Sequence, residues 1–364
     1  MRLEDRLDDR DNNFDVLRLV AAALVLFSHC YPLTGHDEPF GELTGVTLGE
    51  IGVVMFFAMS GFLIAKSWTD EPDPGRYAFK RALRLLPALV VAVTITTLVL
   101  GPLFTTLSLG DYLTDAETWF YLVRASLLVT IAGQLPGVYT DNVYPDAVNG
   151  SLWTLPVEAC CYVMVAVLGA LGLLRRSGLL LAGAAVVLLA TTPLSPLTAA
   201  IGDTAAGGNV TIVLVLVATF LLGALLYSLR RRLRLSWLVL AAMTLLWVLT
   251  WDTGWVTVTT VLAFGYGVLV LAFRTPAALR HLTAPGDVSY GVYVYAFPVQ
   301  QSIAALWGPG LTPGVMFVIA MPITYLLALL SWRIVERPAL RLKRRGRPPR
   351  PVRGHEPAAA ARRR

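Results

Sequence analysis

Charge is scarce in this 364-residue chain: Asp, Glu, Lys and Arg make up 15% of it, against 56% hydrophobic residues and a mean hydropathy of +0.64. Such a chain has too little polar surface to hide its apolar residues in a water-soluble core, which excludes an ordinary soluble domain and leaves lipid as the solvent. Cysteine is scarcer still. Cys30, Cys160 and Cys161 all lie in apolar runs and match no disulfide or metal spacing, so they read as small packing residues and no metal is expected. A basic leader with a cleavage site is also missing, because the N-terminus mixes Arg2, Glu4, Asp5, Arg6, Asp8, Asp9, Arg10 and Asp11; the first apolar run therefore reads as a retained helix. The net charge of +6 would suit a nucleic-acid partner only if the basic residues shared one soluble face. They sit instead in short clusters between apolar runs, so no such partner is expected.

What is present is a series of membrane-length apolar runs. Windows of about twenty residues predict helices over 14–33, 48–66, 85–107, 152–174, 178–197, 210–229, 235–251, 254–273, 288–307 and 314–335. The fold class expected is all-α, a polytopic membrane bundle of about ten helices. Residues 1–13 form a cytoplasmic tail, 14–338 the membrane domain, and 339–364 a basic, disordered cytoplasmic tail. The shorter run over 119–134 carries Arg124 and is read as lying on the membrane or re-entering it. With both termini inside, the Arg and Lys clusters at 2–10, 76–84, 175–176, 230–234, 274–280 and from 341 onward are cytoplasmic, and of 30 basic residues only Arg124 is stranded outside.

Two charge-capable residues interrupt the first run, Arg18 and His29. Eleven helical steps separate them by roughly 16–17 Å on nearly one face. An intramembrane Arg or His is a functional hypothesis by default. The fourth run opens Ser151-Leu-Trp153-Thr-Leu-Pro-Val-Glu158, which puts Glu158 within one or two turns of its outer end, as His29 is of its own. Equal depth makes them a candidate pair in which Glu158 orients His29 as general base. Arg81 and Arg84 share a face at i, i+3 and, with Lys80 and Arg18, could clamp phosphates by charge-assisted hydrogen bonds.

Taken in order, Arg18 and His29, then Gly52 to Ile64 with Ser60-Gly61, Arg81-Ala-Leu-Arg84 before Pro87, Ser151-Leu-Trp153 through Glu158 and Tyr162, Ser289-Tyr290-Gly-Val-Tyr293 and Glu336-Arg-Pro338 resemble the acyltransferase-3 family of integral membrane O-acyltransferases. The resemblance covers about Phe14 to Pro338, in the stand-alone form without a fused esterase-like domain. It implies about ten core helices and transfer of an acyl group, commonly acetyl from acetyl-coenzyme A, to a hydroxyl of a sugar or other acceptor. It implies His29 as the catalytic histidine, Arg18 as the helix-one arginine and Arg81 and Arg84 as the paired arginines. It also implies Trp153, Glu158 and Tyr162 as fourth-helix site residues. Where other members carry a second histidine, this chain has Ala296, so Ser60, Trp153, Tyr162, Tyr290, Tyr293 and Gln300 are expected to line the substrate cavity.

The expected function is therefore acyl-coenzyme A-dependent O-acylation of a carbohydrate or glycosylated acceptor, with no permanently bound cofactor and the lipid bilayer as surroundings. The location expected is the plasma or inner membrane, multi-pass. The different class that the same charges allow is a secondary transporter of an organic anion, or an exporter that hands the acyl group to a separate transferase. Against a transporter, the halves show no inverted repeat, and the ionisable residues gather in the first, third and fourth runs.

Overall fold

In lipid a backbone must satisfy its own hydrogen bonds, so runs this apolar fold as helices. The computed structural model describes residues 3–7, 12–129, 134–195, 205–284 and 286–344, and each expected run contains a helix there, although the run over 178–197 is helical only to Leu189 and its last two residues lie outside the described ones. In chain order the elements are α1 (Phe14–Leu33), α2 (Pro39–Thr44), α3 (Leu48–Asp70), α4 (Pro74–Ile95), α5 (Gly101–Phe104), α6 (Leu109–Thr114), α7 (Ala116–Ser126) and α8 (Thr154–Ala170). They continue as α9 (Ser177–Leu189), α10 (Ala205–Ser228), α11 (Trp237–Leu249), α12 (Val256–Arg274), α13 (Ser289–Trp307), α14 (Pro313–Ser331) and α15 (Arg337–Arg341). Among the described residues there is no strand beyond an isolated bridge between Thr105 and Val138. The protein is an all-α membrane bundle. Six helical stretches, α1, α3, α4 through α5, Val210–Ser228 of α10, α12 and α14 through α15, are long and apolar enough to cross a membrane, while α8, α9 and α11 are apolar but shorter.

Helix ends follow local chemistry. Thr47 and Glu50 form a reciprocal capping box at the start of α3, and Asp73 caps α4 ahead of Pro74. One π turn, Thr96–Leu100, joins α4 to α5, and another, Trp332–Glu336, joins α14 to α15. At the centre α3 packs against α1 on one side and α10 on the other. A Cβ at Gly61 would lie 2.0 Å from the Phe220 carbonyl oxygen, and one at Gly223 would lie 2.2 Å from that of Ala58. The Ser60-Gly61 pair thus lets α3 and α10 approach backbone to backbone, as small residues do in membrane bundles.

The connection from 134 to 153 lies between the runs expected to be helical. It runs down the side of α13, bonded at each level: Tyr139 to Ser302, 2.8 Å; Asn142 Nδ2 to Gln301 Oε1, 2.7 Å; Gln301 Nε2 to the Ala147 carbonyl, 2.7 Å; Asn149 Nδ2 to the Val294 carbonyl, 2.9 Å. Tyr293 then donates to the Ser151 carbonyl at 2.8 Å and contacts Thr154 Oγ1 at 2.6 Å. From Ser302 to Tyr293 this descends about 13–14 Å. Irregular backbone at such depth persists only where protein covers and bonds it. Tyr139 and Asp146 hold left-handed backbone, φ 58° and 62°, within it. The 119–134 run, by contrast, contributes α7, which packs beside α4 through buried Tyr121 and Ala125; residues 130–133 lie outside the described residues.

At the other end of the chain, residues 337–344 continue as α15 and a short 3-10 turn, Leu342–Arg344, folded back beside α4. The expected disordered tail from 339 is therefore ordered through 344, because Leu340 and Lys343 have a cavity to line. Residues 345–364, with His355, lie outside the described residues.

Candidate active site

Two cavities meet inside the bundle. The first, about 350 Å³, is lined by Arg18, Arg81, Arg84 and Lys343 with Ser60, Glu158, Tyr162, Asp287, Ser289 and Tyr290. The second, about 750 Å³, is lined by His29, Asp37, Glu38, Glu50, Ser151, Trp153 and several threonines. Val53, Thr154 and Tyr293 line both, so these three side chains are the wall between them.

The basic cavity is built by α1, α3, α4, α8 and α13 with the C-terminal turn. Asp287, just ahead of α13, gathers its arginines: Arg84 Nη2 lies 2.5 Å and Arg18 Nη1 3.2 Å from one carboxylate oxygen, while Ser289 donates to the other at 2.5 Å. Burial pushes the Asp287 carboxyl up, but Arg84 and Arg18 outweigh it and hold it below the usual range. Arg84 also faces buried Glu336 at 3.7 Å. Arg81 is placed differently. Its guanidinium lies 5.8 Å from the ring centres of both Tyr77 and Tyr162, its Nε is buried without a hydrogen-bond partner, and among the described residues no carboxylate pairs with it. Its guanidinium therefore has bonding capacity to spare for an anion.

Lys80 does not line this cavity. It is ion-paired with Glu71, as is Arg76, and the hydrogen bond from Lys80 is the chief reason the Glu71 carboxyl sits below its usual range. The cation that takes its expected place is Lys343. Burial, then repulsion from Arg81, Arg84, Lys80 and Arg18, lowers its ammonium to about 7. Asp287 and Lys343 were both missed from sequence. The signal for Asp287 was an acid alone at a helix start among basic clusters; Lys343 looked like any tail lysine.

The expected pairing of His29 with Glu158 is not formed. Glu158 Oε1 accepts from Ser60 Oγ at 2.8 Å and from Tyr162 OH at 2.6 Å, in the basic cavity. His29 lines the other cavity, its ring edge-on to Phe297 at 5.2 Å and its Nδ1 buried without a partner. The reason is depth. His29 neighbours Ser28, which packs on Gly49 at the start of α3, whereas Glu158 bonds Ser60, eleven residues or about 16–17 Å farther along that helix. Because 134–153 descends beside α13, α8 starts inside the bundle, where Tyr293 stacks on Phe56, and not at the membrane surface.

Of the other expected lining residues, Ser60, Tyr162, Tyr290 and Tyr293 face the basic cavity, and Trp153 faces the second. Gln300 faces neither. It is fully buried and joins α13 to α1, donating to the Leu26 carbonyl at 2.9 Å and reaching Cys30 Sγ at 3.1 Å. An amide in an apolar core needs such partners, which is why a polar residue here clamps helices and does not line a cavity.

A family model described as an acyltransferase domain matches residues 11–333, nearly the whole of both cavities. The chain belongs to the acyltransferase-3 family. Lys343 lies beyond the matched region. Among curated relatives, an O-acetyl transferase of Shigella phage Sf6 is 36% identical over 160 residues, 43% of this chain and 46% of that protein. Nodulation protein 10 of Rhizobium leguminosarum bv. viciae is 31% identical over 170 residues, 43% of this chain and 44% of that protein. The match thus spans less than half of each relative. No solved structure matches this acyltransferase-family chain.

Proposed function

We propose that this protein is an integral membrane O-acyltransferase that moves an acyl group, acetyl in the simplest case, from acyl-coenzyme A to a hydroxyl of a saccharide or glycosylated acceptor. The observation that carries the reading is the pair of cavities of opposite character meeting at Val53, Thr154 and Tyr293. A polyanionic donor suits the cavity of Arg18, Arg81, Arg84 and Lys343, and the uncharged acyl end of the donor suits the wall. The hydroxyl acceptor occupies the cavity where the His29 imidazole has an unclaimed nitrogen.

The reaction is direct transfer. The acceptor oxygen attacks the thioester carbonyl carbon, the C–O bond forms and the C–S bond breaks. The hydroxyl proton passes to His29 and from there to the departing thiolate, leaving an ester and free coenzyme A thiol. An imidazole can take a proton and return it with small movement, which suits both proton steps. Glu158 acts at the donor end, holding Ser60 and Tyr162 in place beside Arg81. In the membrane the basic ends of α1, α3, α4 and α13 face the cytoplasm, where the donor is made, with the termini on that side and the membrane being the plasma or inner membrane. Residues 14–344 form the acyltransferase unit.

The test is release of free thiol from acetyl-coenzyme A by purified protein in nanodiscs, with a membrane or glycan extract as acceptor. Thiol release coupled to ester formation is expected. Uptake of solute without consumption of the thioester would return the chain to the transporter class, and thioester consumption with the acyl group appearing only across the membrane would make it an exporter.

A further inference from the structure

The two cavities differ in sign. Three carboxylates line the His29 cavity, Asp37, Glu38 and Glu50, and no Lys or Arg does. Among the described residues none of the three has a cation within ion-pair distance. Glu38 and Glu50 are committed to the start of α3: Glu38 accepts from the Leu48 backbone N–H at 2.8 Å and from Ser28 Oγ, and Glu50 from the Thr47 backbone N–H at 2.7 Å. The helix N-terminus offsets part of their charge. Asp37 is exposed at the rim with no such offset.

Two further atoms mark the cavity as built for a hydroxyl compound. Ser151 is 2% exposed and its Oγ has no hydrogen-bond partner, although it lines the cavity, and His29 Nδ1 is likewise buried and unsatisfied. Buried polar atoms left bare cost stability, so their persistence in a polar cavity marks positions that a ligand hydroxyl completes. A carboxylate, sulfate or phosphate on that same ligand unit would face Asp37, Glu38 and Glu50 with no Lys or Arg to compensate it; the basic side chains there are the imidazoles of His29 and His36.

Resting on the acyltransferase reading, we infer that this cavity selects an acceptor whose reacting unit bears no negative charge: an uncharged polyhydroxyl unit or one carrying a protonated amine. Anionic sugars are excluded from the reacting position. Like-charge juxtaposition in a partly desolvated site costs enough to lower use of an anionic unit by about tenfold or more.

Trp153 lines the cavity and supplies a direct readout. Protein in nanodiscs is titrated with methyl glucoside, glucosamine and glucuronate, following tryptophan fluorescence, with Trp153→Phe as the control that removes the cavity signal. Saturable, Trp153-dependent responses to the glucoside or glucosamine, and a response to glucuronate at least tenfold weaker, are expected. An equal or stronger response to glucuronate, or none to any of the three, overturns the inference. In parallel, mass spectrometry of glycans and metabolites from a strain lacking the gene, complemented with wild type or with His29→Ala, identifies the ester this chain makes. A carboxylate, phosphate or sulfate on the acylated unit overturns the charge rule while leaving the acyltransferase reading intact. Failure of that reading shows separately, as purified protein that releases no thiol from acetyl-coenzyme A.

Discussion

The arginine-lined cavity and the histidine-lined cavity share three side chains and almost nothing else. In the first, charges are cross-linked: Asp287 holds Arg18 and Arg84, while among the described residues Arg81 and Lys343 have no carboxylate partner. In the second, Glu38 and Glu50 bind backbone at a helix start, and the unsatisfied atoms are an imidazole nitrogen and a hydroxyl oxygen. The contrast teaches that cationic sites in a membrane need internal counter-charges to survive empty, since an uncompensated buried charge is costly. A site for neutral hydroxyls needs only polar atoms kept waiting.

The sharpest way to break this division is at His29. His29→Ala should lower acyl transfer by on the order of 10²–10⁴ while leaving coenzyme A affinity unchanged, measured as turnover and binding on the same folded preparation. Because Glu158 lies beyond the wall, the free-energy losses of His29→Ala and Glu158→Gln should add within about 0.5 kcal/mol. Strong non-additivity would put the two residues back into one unit.

Next in size is Arg81. Arg81→Ala should weaken coenzyme A binding about 10–100-fold, the worth of a charge-assisted hydrogen bond, with Arg81→Lys restoring part of it. Calorimetric affinity unchanged in the Ala variant would leave the stacked guanidinium a structural role only. The wall itself comes third: Val53→Phe adds bulk where the cavities meet and should slow transfer about tenfold or more through misplacement of the reacting groups, with donor affinity intact. Equal loss of donor binding would mean the wall is not a passage.

The smallest effect is a pH dependence. With the Lys343 ammonium lowered to about 7, the free protein carries that lysine largely neutral above pH 7, and a bound polyanion favours its protonation. Donor affinity should therefore fall by a few-fold more between pH 6.5 and 8.5 in wild type than in Lys343→Arg, which stays charged. The linked stability of the empty protein runs the opposite way: the unfolded chain holds the Lys343 proton up to about pH 10.5, so stability rises with pH from about 7 to 10.5 in wild type and not in the Arg variant. Parallel curves for the two proteins would remove Lys343 from the donor site.

Most of the bundle was legible because length and apolarity decide helices in lipid, and Arg18, Arg81 and Arg84 were legible because cations cluster at one end of the runs. The depth of Glu158 was not. Counting turns from a helix start assumes that the start lies at the membrane surface, and nothing in Ser151-Leu-Trp153 announces that Asn142, Asn149 and Gln301 tie the preceding segment down along α13. Gln300 misled in the same way. As a polar residue in an apolar run it pointed to a cavity, but its partners are a backbone carbonyl and a thiol on α1, which become visible only in three dimensions. Lys80 illustrates the opposite failure, a correctly placed charge already claimed by Glu71.

The descending segment has a consequence for biogenesis. Asn149 is bonded to Val294, 145 residues later in the chain. At synthesis rates of about 5–20 residues per second, the irregular stretch from 134 to 153 waits roughly 7–30 s for the helix that satisfies it. During that interval its carbonyls and amides lack the partners on α13 that a lipid environment requires. Insertion of this chain is thus not a sequence of independent crossings: the wall between donor and acceptor cannot close before Tyr293 is made, and the basic cavity behind it not before Lys343 is.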